Sequence, residues 1–268
     1  MDLQKNLPSG RAKLAAVING AGDVIFIADV ADTLDLTRSE AAKALSRWQA
    51  QGWLQRVGKG AYVPVQLEFL TTRQVVEDAW ILVTALFDPA YIGGRTAAEH
   101  WDLTEQIFKD IFVFTAQPVR RKTKQTGGVE FSLKHVSEEN IFGTKTVWRD
   151  RSKVAVSDPH RTIIDMLDDP AIGGGIQHVS ECFARYLQKP ERNLERLIVY
   201  ADRLGNGAVF KRLGFLAENF VDAGPLIQPC KQCFTKGHAK LDPTLDCPRL
   251  VTRWRLRVPE SWTSGTRP

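Results

Sequence analysis

Several groups of side chains in this 268-residue sequence have types and spacings that could do chemistry. Cys230, Cys233, His238 and Cys247 follow C-x2-C-x4-H-x8-C, four donors of the kind that hold zinc in a closed tetrahedral site. The last gap is unusual for a zinc knuckle. Pro229, Pro243 and Pro248 punctuate the stretch as they would an ordinary loop, so the spacing predicts free thiols, no metal and no cofactor. "SDPHRTIIDMLDD" assembles Asp158, His160, Asp165 and Asp168, residue types that serve acid–base catalysis. Asp158 followed by Pro159 is also a plain N-cap and N1 pair, and Ile163, Ile164 and Leu167 would pack its inner face. No nucleophile or metal cluster accompanies these acids, so the expectation is a helix start and no catalytic residue. Glu99 and His100 form an isolated acid–imidazole pair and read as a surface or interface feature. The glycines at 173–175 follow a helical pattern and lack the Lys-Ser/Thr pair of a phosphate loop, which predicts a helix–helix turn.

Two further groups are cationic. "QPVRRKTKQ" places Arg120, Arg121, Lys122 and Lys124 between two strand patterns. Most such runs are solvated loops; the other reading is a secondary basic patch for nucleic acid or an acidic partner. Residues 37–60 hold Arg38, Lys43, Arg47, Arg56 and Lys59 against one acid, Glu40, for a net +4. Residues 1–36 carry three Lys/Arg and five Asp/Glu, net −2. Segregated cations of this kind suit a phosphate surface.

The elements that must position those cations are legible. Ser9 can cap a first helix over 9–20, with Leu14, Val17 and Ile18 as its apolar stripe. A second helix is expected over 25–35, with Ile27, Val30, Ala31 and Leu34 inward. Thr37 caps a third, and Glu40 completes a capping box. In that helix Ala41, Leu45 and Trp48 share one face, while Ser39, Lys43, Ser46 and Arg47 fall on the other. Gly52 suits the left-handed position past the helix end. "WLQRV" and "AYVPV" then read as strands joined by Gly58-Lys59-Gly60. Three helices and a hairpin are the order of a winged helix-turn-helix, expected over residues 1–68. Its helix would enter the major groove while the hairpin cations neutralise backbone phosphates.

"PVQLEFLT" at 64–71 is the expected linker, followed by a long helix at 72–87. Strands are expected at 111–116, 129–136, 140–143, 146–149 and 153–157, with a short one before "GGRTAAEHW". Helical patterns follow at 158–168, 175–188, 191–204 and 207–222, the last two joined across Gly205-Asn206-Gly207. "TRWRLRV" at 252–258 alternates as a closing strand. This order predicts an α+β second domain, residues 69–268, mixed in character with a helical section.

Composition bounds the function. With 43% hydrophobic and 25% charged residues the chain is globular, and its net charge of +5 permits nucleic-acid binding. "MDLQKNLPSGRAK" has no apolar signal-peptide core, and "AWILVTALF" at 79–87 is too short to span a bilayer. The expectation is a cytoplasmic protein with no membrane partner.

The order of "GWLQRVGKGAYVPV", "YIGGRTAAEHWDLTEQ", "VSDPHRTIIDMLDDP" and "TKGHAKLDPTL…TRWRLRV" resembles the AbiEi-family antitoxins of abortive-infection (type IV toxin–antitoxin) systems. The resemblance implies a non-enzymatic protein of phage defence. Its winged helix would repress its own operon at inverted repeats in double-stranded operator DNA. A C-terminal domain would counter a nucleotidyltransferase toxin encoded alongside, usually without a stable complex. It places DNA reading on Ser39, Lys43, Ser46 and Arg47, with Arg56 and Lys59 on the wing; Arg38 lies on the same charged segment. The Cys230/Cys233 pair is not part of that pattern. Two other readings stay open: a nucleic-acid-acting enzyme docked by a winged helix, and a winged-helix adaptor that binds only protein.

Overall fold

The computed structural model describes residues 9–65 and 78–262. The expected boundary near residue 68 and the first part of the expected 72–87 helix lie outside the described residues. The chain forms two compact units: Met1–Tyr91 with Lys109–His135 and Thr146–Ala155, and Ile92–Phe108 with Val136–Lys145 and Val156–Pro268. The fold is mixed α+β.

The first unit begins with α1 (Ser9–Gly20), β1 (Ile25–Phe26), α2 (Ile27–Leu34), α3 (Arg38–Ala50), β2 (Leu54–Gly58) and β3 (Ala61–Pro64). The second helix starts later than expected because Ile25 and Phe26 pair with Tyr62 and Ala61, giving a three-stranded sheet of order β1-β3-β2. Leu14, Val17, Ile25, Val30, Ala41, Leu45, Trp48 and Leu54 close one core between these helices and this sheet. Gly52 sits at φ 73°, past the end of α3, as its left-handed position requires.

Next come α4 (Ile81–Phe87), β4 (Ala90–Ile92), α5 (Gly94–His100), β5 (Asp110–Thr115), β6 (Thr123–Thr126), β7 (Val129–His135), β8 (Thr144–Arg149) and β9 (Ser152–Ser157). The sheet order is β6-β7-β5-β4-β9-β8, with β5 parallel to β7 and β6 antiparallel to β7. The loop expected between the strands at 111–116 and 129–136 therefore contains a strand, whose side chains are almost all exposed. The strand expected at 140–143 is a 3-10 turn, Glu138–Asn140, with a left-handed Gly143 behind it.

Within the first unit the helical segment is tied to these strands. Asp23 accepts hydrogen bonds from Arg151 N (3.2 Å) and Ser152 Oγ (2.6 Å), and the Arg151 guanidinium donates to the carbonyls of Ile18 (3.0 Å) and Ala21. Thr126 Oγ1 donates to Val57 O on β2.

The second unit is mainly helical: α6 (Pro159–Asp168), α7 (Ile176–Gln188), α8 (Leu194–Leu204), α9 (Gly207–Ala217) and α10 (Ile227–Cys233). A small sheet follows, β10 (Ala239–Lys240), β11 (Arg249–Val251) and β12 (Leu256–Val258), in the order β10-β12-β11. The expected closing strand at 252–258 is broken: Thr252–Trp254 is a 3-10 turn and Arg255 adopts φ 50°. Burial of Trp254 explains the break, since its ring, 0% exposed, leaves the strand to pack against α9. The helix expected at 207–222 likewise stops at Ala217, and a 3-10 segment, Val221–Leu226, leads into α10.

The approach of Trp254 to α9 depends on a missing side chain. A Cβ on Gly214 would lie 2.1 Å from the Trp254 ring. Alanine would ordinarily favour a helix by about 1 kcal/mol over glycine. Here Gly214→Ala is expected to destabilise the protein by about 1–3 kcal/mol through overpacking. Gly224→Ala, with nothing within 4 Å of the new carbon, should stay within about 0.5 kcal/mol. Urea denaturation of both variants checks the contrast.

Candidate nucleic-acid interface

The positioning of α3 begins at its first turn. Thr37 Oγ1 accepts from Glu40 N, and the Glu40 carboxylate accepts from Thr37 N at 2.9 Å and Thr37 Oγ1 at 2.6 Å. These bonds from Thr37, with a smaller contribution from Lys43, hold the Glu40 carboxyl below the usual carboxylate range. Ala41 and Leu45 are fully buried and Trp48 nearly so, which fixes the rotation of the helix about its axis.

Arg38, Ser39, Lys43, Ser46 and Arg47 are consequently all exposed. Ser46 Oγ donates to Ala42 O at 3.0 Å and keeps its lone pairs for solvent or a ligand. Lys59 is exposed at the hairpin tip, before Gly60 at φ 72°. Arg38, Arg47 and Lys59 form no ion pair among the described residues. Arg56 is also exposed, but its Nε donates to Gly58 O at 3.0 Å across an irregularity in the β2–β3 register. Its guanidinium is therefore partly committed to holding the hairpin.

The other sequence-derived groups lie elsewhere. Arg120, Arg121 and Lys122 are exposed on the segment between β5 and β6, and Lys124 is on β6 itself. The four zinc-spaced residues differ in setting. Cys230 is buried on α10, where burial, helped by the neighbouring Cys233, pushes its thiol up to about 12. Cys233 and His238 are exposed, and buried Cys247 donates to Asp242 O at 3.5 Å. Among the described residues no three His, Cys, Asp or Glu side chains are grouped as metal ligands.

Asp158, His160 and Asp165 sit in the interior around α6. Asp158 caps that helix, accepting from Arg161 N at 2.8 Å and from Tyr200 Oη at 2.9 Å, with His160 Nδ1 at 3.4 Å. Arg161, fully buried, reaches Asp165 at 2.8 Å, and its guanidinium stacks 4.0 Å from the Phe142 ring centroid. Asp168 accepts from Asn206 Nδ2 at 2.8 Å. Arg212, which sequence reasoning did not single out, donates to the carbonyls of Leu167 (2.7 Å) and Asp168 (3.0 Å), tying off the end of α6. Only its long reach from α9 reveals this, since no local spacing signals it. Glu99 accepts from Phe108 N at 3.5 Å, and His100 meets the Trp101 ring edge-on.

Burial would raise the Asp158 pKa, but the bonds from His160, Arg161 N and Tyr200 outweigh it and leave the carboxyl below its ordinary value. A carboxylate with a depressed folded pKa contributes stability above its unfolded pKa, and that contribution is lost as pH falls through the folded one. Tyr200→Phe is expected to cost about 1.5–3 kcal/mol at neutral pH, the worth of a hydrogen bond to a charged group. It should also make the fall in stability below about pH 4 shallower, because less of the depression remains to be lost. Denaturation midpoints of the variant and parent at pH 7 and pH 3 test both parts.

No protein-family model and no curated protein matches the chain. Among solved structures, the crystal structure of the RV2827C protein from Mycobacterium tuberculosis is similar in fold, with a TM-score of 0.63 and 12% identity over 94% of this chain and 92% of that one.

Proposed function

We propose that residues 9–65 form a winged helix-turn-helix that reads duplex DNA, and that the protein is a cytoplasmic antitoxin and autorepressor of the AbiEi type. One observation carries the DNA reading: α3 buries Ala41, Leu45 and Trp48 and turns Arg38, Ser39, Lys43, Ser46 and Arg47 outward, with Lys59 exposed on the following hairpin. A helix with such a face fits the major groove, where Lys and Arg reach guanine edges and Ser reaches several bases. The short β1 strand adds the third member of the wing's sheet. The antitoxin half of the reading rests on the order of sequence segments that resembles the family. It assigns neutralisation of a nucleotidyltransferase toxin to residues 69–268, outside the DNA reader. Among the described residues no helix is long and apolar enough to cross a membrane.

The cations of such a reader are not equivalent. Lys43 and Arg47 project from the face opposite the core and reach base edges; Lys59 at the hairpin tip reaches backbone phosphate. Arg47→Ala is expected to lose about 1–3 kcal/mol on operator DNA and to reduce discrimination against scrambled duplex. Lys59→Ala should weaken both duplexes alike and flatten the salt dependence by about one unit of slope. Binding of each full-length variant to the inverted repeats of its own promoter and to scrambled DNA, across a salt series, decides this. If neither change alters operator affinity, the helix and hairpin are not a DNA reader and the protein-adaptor reading takes over.

The antitoxin assignment has its own measurement. Arg47→Ala protein, co-expressed from a foreign promoter with the adjacent nucleotidyltransferase, should still restore growth while failing to repress the native promoter. Loss of both activities together would remove the proposed division of labour.

A further inference from the structure

A second basic surface in the first unit is built differently from α3. The segment leaving β5 crosses to the edge strand β6 over the ends of β5 and β7, where Leu133 N donates to Lys122 O at 2.7 Å. Beneath it opens a cleft of about 460 Å³. Among the described residues its charged lining is all of one sign: Arg120, Arg121 and Lys124. Its apolar lining includes Leu86 and Phe87 from the end of α4 and Leu133 from β7. The volume falls within the range of small-molecule sites, and the carboxyl ends of parallel strands are where such sites form.

Three details make this a formed site rather than a stray basic loop. The Lys124 ammonium is drawn down to 4.9 Å from the Phe87 ring centroid, and burial lowers its pKa, so a counter-charge in the cleft would relieve it. Among the described residues no carboxylate pairs with Arg120, Arg121 or Lys124. The carbonyls that end α4 are already engaged, Phe87 O by Thr115 Oγ1 at 2.6 Å and Asp88 O by Gln117 Nε2 at 2.7 Å, so they do not compete for the cations.

From this geometry we infer that the cleft binds a nucleoside polyphosphate, with the phosphates on Arg120, Arg121 and Lys124 and the base against the apolar wall formed by Leu86 and Leu133. Guanidinium groups suit phosphate oxygens, and three cations lining one cleft match a ligand with several negative charges. The assignment does not depend on the DNA-reading proposal. The two sites do share scaffolding: Thr126, which ends β6, bonds Val57 on β2, and a Cβ on Gly58 would lie 2.5 Å from Leu86 Cδ2.

Full-length protein is titrated calorimetrically with ATP, GTP and inorganic pyrophosphate, and hydrogen exchange is recorded with and without nucleotide. At least one nucleotide should bind saturably and about 10-fold or more tighter than pyrophosphate, a difference of about 1.4 kcal/mol supplied by the base. Protection should concentrate in residues 117–126. Arg120→Gln/Arg121→Gln, both at exposed positions, and Lys124→Gln should each weaken nucleotide binding by about 10-fold or more, while the melting temperature of Arg120→Gln/Arg121→Gln without ligand stays unchanged. Absence of saturable nucleotide binding, or equal affinity for pyrophosphate, would overturn the assignment. So would nucleotide binding that survives both sets of substitutions. Operator DNA supplies the other source of phosphate. If duplex displaces the nucleotide and the same variants lose duplex affinity in parallel, the cleft is part of a DNA footprint and the small-ligand assignment fails.

Discussion

A helix with 3.6 residues per turn can hide only one stripe of its surface, and in α3 that stripe is taken by Ala41, Leu45 and Trp48. The choice removes the helix's freedom to roll. Lys43 and Arg47, one turn apart, must then share the outer surface, and the serines beside them follow. The capping box at Thr37 and Glu40 sets where the helix begins, and Gly52 sets where it must turn back into the hairpin. The disposition of every α3 charge on the surface proposed for DNA follows from those apolar contacts. Electrostatics chose the residues, and packing chose their direction.

The second unit solves a different problem with α6. That helix is buried on nearly every side yet carries His160, Arg161 and Asp165. Bringing such groups out of water is costly unless each ion finds a partner and a full set of hydrogen bonds. Asp158 meets this with the Arg161 N–H of its own helix and with Tyr200, and Arg161 with Asp165 and the face of Phe142. Arg212 then satisfies the carbonyls at the opposite end. Asp158 and Asp165 in this way help to hold a central helix in place.

What could be read in advance follows the range of the signal. The cap, stripe and terminating glycine of α3 all lie within fifteen or so residues of one another, and each has a local physical signature. So do the hairpin glycines and the Asp158-Pro159 helix start. β1 was hidden because two residues carry no period, and its existence depends on Tyr62 arriving opposite Ile25. β6 was hidden because its polar, exposed sequence shows no alternation, and only its pairing with β7 makes it a strand. The break at Arg255 was masked by an apparently regular alternation whose key member, Trp254, is consumed by α9 instead. The exposed face of α3 was visible in the sequence. The walls of the basic cleft come from α4, β5, β6, β7 and the segment between β5 and β6, and no spacing rule joins Phe87 to Lys124.

The bond between Asp23 and Arg151 has a consequence in time. Its two ends are 128 residues apart in the chain. A ribosome adding about 5–20 residues per second needs roughly 6–26 s to bring the second after the first. Throughout that interval the leading helices exist as a nascent segment with the carbonyls of Ile18 and Ala21 still open to water. Their docking partner is a turn not yet made. The helices beside Asp23, though synthesised before the central strands, complete these contacts only after those strands are made. Translation of a distant part of the message therefore sets the earliest moment at which this region can be completed.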